Sequence, residues 1–152
     1  MRRNDKQITD FEKIEEVIRK CRVCRLGLSH NDRPYIIPIN FGYRDKTLYF
    51  HSAREGTKVD ILKKNPNICF EFDIDLGTVR NEDSGCNWSN RYQSVIGFGK
   101  IAIVEGVEQK RDALDILMKN YSDTRFDYPY RSLENTLVFK VDIESMTGKQ
   151  SI

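Results

Sequence analysis

The chain has no apolar run approaching the length of a membrane span, so no membrane-crossing helix is expected. It also lacks any large charge excess. The 25 Lys and Arg stand against 23 Asp and Glu, interleaved, for a formal net charge of +2. That balance gives no strong field for nucleic acid or an anionic membrane, and neither is expected as a partner. Histidine is scarce: His30 and His51 are the two, and they form no His-x-x-x-His pattern. Cysteine is limited to Cys21, Cys24, Cys69 and Cys86. The Cys21-x-x-Cys24 spacing invites a metal or redox reading, but the second close pair that a zinc site wants is missing. Cys24 falls in an apolar alternation, where a free thiol behaves as a small buried hydrophobe, and no metal is expected. The phosphate-loop pattern Gly-x-x-x-x-Gly-Lys-Ser/Thr is absent, and Gly97-Phe98-Gly99 runs on into a strand pattern instead of a dinucleotide fingerprint. The basic N-terminal residues lead into no apolar signal-peptide segment, so the expected location is the cytoplasm.

What is present is an ordinary globular composition, 39% hydrophobic and 32% charged over 152 residues. It is enough chain for one core, and the expectation is a single domain over 1–152. Thr9-Asp10-Phe11-Glu12 fits a helix-capping box, and Phe11, Ile14, Val17, Ile18 and Cys21 recur at helical spacing, which predicts a helix over 10–20. The period then drops to two. Cys24, Leu26 and Leu28 alternate with polar or small residues; 35–41 and 47–52 follow as strands across short turns. Pro38 places the second of these at an edge or bulge. A short helix is predicted to start around 54–57 and stop before Pro66. Residues 68–73 form a fourth strand, 74–90 read as a polar loop, and 92–104 form a long strand bent at Gly97 and Gly99. A third helix carries Ala113, Leu114, Leu117, Met118 and Tyr121; 128–130 read as loop, and 137–143 as the last strand. Six antiparallel strands with flanking helices predict a mainly β, α+β fold built on a small barrel.

The most informative stretch for chemistry is His51-Ser52-Ala53-Arg54-Glu55-Gly56-Thr57-Lys58. A strand ends in polar residues and a helix starts within a few positions, gathering free N–H groups and the positive end of a helix dipole. Ser52 and Thr57 add hydroxyls and Lys58 a full charge, a set that suits one phosphate group. On local chemistry alone, a helix cap with a solvated lysine is the favoured reading, since such junctions are common.

The order Arg33-Pro34-Tyr35-Ile36-Ile37-Pro38-Ile39-Asn40-Phe41-Gly42-Tyr43, then Leu48-Tyr49-Phe50-His51-Ser52-Ala53, then Gly56-x-Lys58 and Asn65-Pro66, resembles the pyridoxamine 5'-phosphate oxidase-like flavoprotein superfamily. Trp88-x-x-Arg91-Tyr92-x-Ser94-Val95-x-Gly97-x-Gly99 and Thr147-Gly148-Lys149 are similar to its nitroimidazole-resistance (Nim-type) branch. The resemblance implies a split β-barrel homodimer holding FMN in two clefts between subunits. Pro38, Ile39 and Asn40 would run along the isoalloxazine ring, His51 and Ser52 would lie beside the ring and ribityl-phosphate, and Lys58 would pair with the phosphate. Tyr92, Ser94 and Val95 would come from the facing wall of the partner subunit. The chain lacks the tryptophan- and arginine-bearing terminal segment of the vitamin B6 oxidases, so that substrate is not expected, and Thr57 stands where those oxidases often carry a basic residue.

The leading expectation is an FMN-dependent oxidoreductase acting on small electron acceptors, nitroaromatic or quinone-like, with His51 as the candidate catalytic residue. The alternative is a flavin- or haem-binding barrel without turnover, with His30 or His51 as axial ligand. A nucleic-acid-binding barrel ranks last, for want of a basic stripe.

Overall fold

The computed structural model describes residues 3–152. Eight strands and four α-helices follow in the order β1 (Gln7–Ile8), α1 (Phe11–Lys20), β2 (Cys24–His30), β3 (Arg33–Ile39), β4 (Gly42–Arg44), β5 (Thr47–Ala53), α2 (Thr57–Lys64), β6 (Asn67–Val79), β7 (Ser89–Ile103), α3 (Val107–Lys119), α4 (Tyr130–Asn135) and β8 (Thr136–Ser151).

The sequence-predicted elements are present, with corrections; the last strand runs on from the predicted 137–143 to Ser151, and Tyr130, read as loop, starts the unpredicted helix α4. The α1 cap is Asp10, whose carboxylate accepts the Glu12 N–H at 3.0 Å, one residue later than the predicted capping box. Residues 74–90 are not one loop: β6 runs to Val79 and β7 starts at Ser89, making a hairpin exposed on both faces, where no apolar alternation is needed. The strands number eight, because β1 and β4 are two- and three-residue pieces defined by their partners and not by their own pattern.

All pairings are antiparallel, in the order β3-β2-β6-β7-β8-β5-β4, with β1 on β8. Turns at Asn31-Asp32 and Asp45-Lys46, with φ of 50° to 59°, close the β2–β3 and β4–β5 hairpins tightly. β3 lies at one end of the order, as Pro38 requires. The other end is β4, so the sheet curls without closing. β8 holds the curl together, pairing with β7 along nearly its whole length and with β5 and then β1 on its other side.

The interior is filled by Phe41, Phe50, Phe70, Phe72 and Phe139, all fully buried. Phe41 meets Phe72 at 4.7 Å and Phe50 stacks on Phe139 at 5.2 Å. Burying each such ring contributes about 2 kcal/mol. α1 lays Ile14, Val17 and Ile18 onto this core, while α3 and α4 bury Ala113, Leu114 and Leu133 with Val138 in a second cluster on the outer side of β5 and β8. With these side chains filling the barrel, a ligand as large as a flavin belongs in an external groove.

Candidate functional site

Along β5, Leu48, Phe50 and Ser52 point inward and His51 and Ala53 outward, because side chains alternate across a strand. β4 stops pairing with β5 at Tyr49, two residues short of His51. On the opposite edge β8 continues the pairing to Ala53, opposite Thr136. The end of β5 is therefore open on one side, and a groove of about 410 Å³ lies there. Its lining joins Pro38, Ile39 and Asn40 at the end of β3, His51, Ser52 and Ala53 of β5, Lys58 of α2, and Asn135 and Thr136 at the α4–β8 junction. That volume lies within the usual range for small-molecule sites.

The groove's chemistry divides by donor and acceptor. Gly56, at φ 118°, turns the chain into α2, and its carbonyl accepts from the Val59 and Asp60 amides, at 2.9 and 3.1 Å. The Thr57 and Lys58 amides, one turn earlier, are the free donors of the helix start. Lys58 adds the one full positive charge in the lining. Ser52, 8% exposed, gives its hydroxyl hydrogen to the Ala53 carbonyl at 2.7 Å and so faces the groove as an acceptor, not as the donor the sequence alone would allow. The His51 imidazole is solvent-accessible at its outer face, yet the protein packed beneath it and, secondarily, the Lys58 charge hold its pKa below the ordinary value. It is therefore neutral at neutral pH and able to accept a proton or hydrogen bond.

Six of the nine sequence-predicted contact residues thus meet in one groove: Pro38, Ile39, Asn40, His51, Ser52 and Lys58. Tyr92, Ser94 and Val95 lie elsewhere in the same chain, on β7. Val95 is fully buried, with its side chain in the core. Tyr92 and Ser94 point to the opposite face, and the Lys6 and Lys149 ammoniums stand 5.9 and 5.7 Å from the Tyr92 ring. Sequence reasoning missed Ala53, Asn135 and Thr136. The last two enter through the Ala53–Thr136 strand pairing, for which no local signal exists.

A larger hollow of about 1020 Å³ lies between the C-terminal ends of α1 and α3. Some of its charges are paired: Arg44 grips Asp112 at 2.7 and 3.1 Å, and Arg19 meets Glu15 at 2.9 Å. None of the sequence-predicted residues lines it. Cys24 is fully buried and Cys21 nearly so; burial raises both thiol pKa values, that of Cys21 to about 11. Among the described residues no three His, Cys, Asp or Glu side chains cluster as metal ligands, and no helix is long and apolar enough to cross a membrane.

Comparison with known proteins is consistent with this geometry. The family model for pyridoxamine 5'-phosphate oxidase matches residues 10–150. A crystal structure of a candidate 5-nitroimidazole antibiotic resistance protein from Bacteroides thetaiotaomicron VPI-5482 superposes with a TM-score of 0.86 at 37% identity, covering 95% of this chain and 86% of that one. An FAD and haem binding protein from Mycobacterium smegmatis shares the fold, with a TM-score of 0.87 at 22% identity over 96% of this chain and 73% of the other. A curated relative, an uncharacterized protein from Rhizobium meliloti (strain 1021), is 28% identical over 65 residues, 43% of this chain; the match spans 42% of that relative's length.

Proposed function

The chain belongs to the pyridoxamine 5'-phosphate oxidase family, and from that premise we propose that it binds FMN in the β5–α2 groove and acts as an oxidoreductase on small electron acceptors, nitroaromatic or quinone-like. The observation that carries this reading is the convergence of Lys58, the free amides at the start of α2, Ser52, His51 and the Pro38–Asn40 backbone in one groove outside a filled barrel. The donor set fits the cofactor. Lys58 and the amides suit a phosphate, Ser52 as an acceptor suits a ribityl hydroxyl, and neutral His51 beside the strand of Pro38, Ile39 and Asn40 suits the ring system. FMN, when bound, supplies the hydride or electron transfer; the protein's residues bind it, orient it and limit water at its face.

In this reading His51 is the candidate catalytic residue, holding or passing a proton at the ring nitrogen that burial keeps neutral. The second wall of the site is a partner subunit's Tyr92 and Ser94. They share their outward row on β7 with Ile96 and Phe98, which are 46% and 53% exposed, two large apolar side chains of the kind that a second subunit covers. Val95 faces inward and would support that wall from behind. A haem-binding reading is less well supported: His30 lies at the exposed tip of the β2–β3 hairpin, and the groove beside His51 is mainly polar.

Titration of the purified protein with FMN, FAD and riboflavin, followed by flavin fluorescence, tests the proposal. The protein should retain FMN in preference to both. Lys58→Ala should weaken FMN by about 1.5–3 kcal/mol, the worth of a charge-assisted hydrogen bond, and riboflavin far less. Preferential retention of FAD, or equal losses for FMN and riboflavin in the variant, would sink the phosphate assignment.

A further inference from the structure

Lys58 is the only cation in the groove lining, whereas a phosphate monoester carries close to two negative charges at neutral pH. The structure offers a second group of donors where β5 meets the end of α4. The C-terminus of α4 abuts the groove, and a helix end there would normally present bare carbonyls and the negative pole of its dipole, which disfavours an anion. Here three of the last four α4 carbonyls, those of Ser132, Leu133 and Glu134, are occupied. The Lys110 ammonium, half-buried, donates to the Leu133 and Thr136 carbonyls at 2.8 and 2.9 Å. Arg54 donates to the Glu134 carbonyl, and the Thr136 hydroxyl to that of Ser132 at 2.7 Å. Neither Lys110 nor Arg54 is paired with a carboxylate among the described residues, so both charges offset the helix end.

What α4 then contributes to the groove lining is Asn135, whose carboxamide makes no hydrogen bond among the described residues. The Ala53–Thr136 register sets Asn135 beside Arg54, beyond the end of β5 and toward the start of α2. From this we infer that Asn135 is a ligand of the FMN phosphate: its amide N–H supplies the donor opposite Lys58, and Arg54 and Lys110 are positioning residues that make the α4 end tolerant of an anion. The inference rests on the proposed FMN reading and extends it to a residue on a different element.

The test compares wild type, Asn135→Ala and Asn135→Asp for FMN and riboflavin affinity by fluorescence quenching near neutral pH. Asn135→Ala should lower FMN affinity by about tenfold, the low end for a hydrogen bond to a charged group, and change riboflavin by less than about twofold. Asn135→Asp, nearly isosteric but anionic, should lower FMN affinity by more than about tenfold while sparing riboflavin. The position is exposed, so both variants are expected to fold, and equal riboflavin binding verifies that they have. Unchanged FMN affinity in both variants, or equal losses for the two ligands, overturns the role of Asn135 while leaving a wild-type preference for FMN intact. A wild type that binds FMN and riboflavin equally overturns the phosphate reading itself, and this inference with it.

Discussion

At the scale of single residues, His51 carries a pH dependence near neutrality. Protein packed against the ring, reinforced by Lys58, lowers its pKa from the ordinary 6.5. The unfolded chain therefore takes up a proton at higher pH than the folded one. By linkage, the stability tied to neutral His51 is fully present above about 6.5 and is lost as pH falls from there toward the folded-state value. Thermal unfolding followed from neutral to mildly acidic pH should show this decline in the wild type and a shallower one in His51→Gln. Identical slopes would mean that the imidazole feels the same surroundings folded and unfolded. The residue identities here were legible: a polar strand end leading into a helix marked His51, Ser52 and Lys58. Their protonation and hydrogen-bond roles were not. The Ser52 hydroxyl is committed to the Ala53 carbonyl, which residue identity alone does not reveal.

At the scale of elements, close approach decides what the pattern leaves open. α3 presses so tightly on β4 that a Cβ on Gly42 would lie 2.6 Å from the backbone N and Cα of Leu117. No side chain can rotate away from such a contact. Gly42→Ala should cost about 1–3 kcal/mol, seen as a lower urea midpoint at unchanged slope. Gly97 differs: its would-be Cβ meets the Phe70 ring, so the glycine on β7 makes room for an aromatic on β6. The sequence marked Gly97 and Gly99 as sites of close approach, because glycine in a strand usually has that cause. It gave no warning of Gly42, whose neighbour lies far along the chain. Long periodic segments such as α1 were readable for the same reason that β1 and α4 were not. The two residues of β1 are a strand only because Lys149 and Gly148 lie alongside, and α4 exists as six residues anchored by buried Leu133 and capped by Lys110.

At the scale of the whole molecule, one chain in the proposed reading supplies the phosphate side of a flavin groove and a second copy supplies the facing wall. Tyr92 and Ser94 lie on the outward row of β7 with exposed Ile96 and Phe98, away from the groove that holds His51 and Lys58. A twofold dimer would bring the β7 row of each subunit to the groove of the other and create two equal sites. Sedimentation at micromolar concentration should give twice the 17.8 kDa chain mass with one FMN per chain. Phe98→Asp, which puts a charge into that apolar row, should shift the protein to monomer and lower flavin affinity in step. A monomer with stoichiometric FMN would remove Tyr92 and Ser94 from the site.

By itself the sequence determined what depends on neighbours a few residues apart: helix and strand periods, tight turns, the edge character of β3 and the phosphate-suited junction at 51–58. The order and spacing of its motifs also carried the family resemblance. Only the tertiary structure decided what depends on residues far apart in the chain. It set the pairing of β8 with both β5 and β7, the filling of the barrel by five phenylalanines, and the entry of Asn135 and Thr136 into the groove. The physical reason is the range of the interactions. Propensity, capping and turn chemistry act within about one turn or hairpin, whereas register and burial come from one core packing that satisfies all the strands at once.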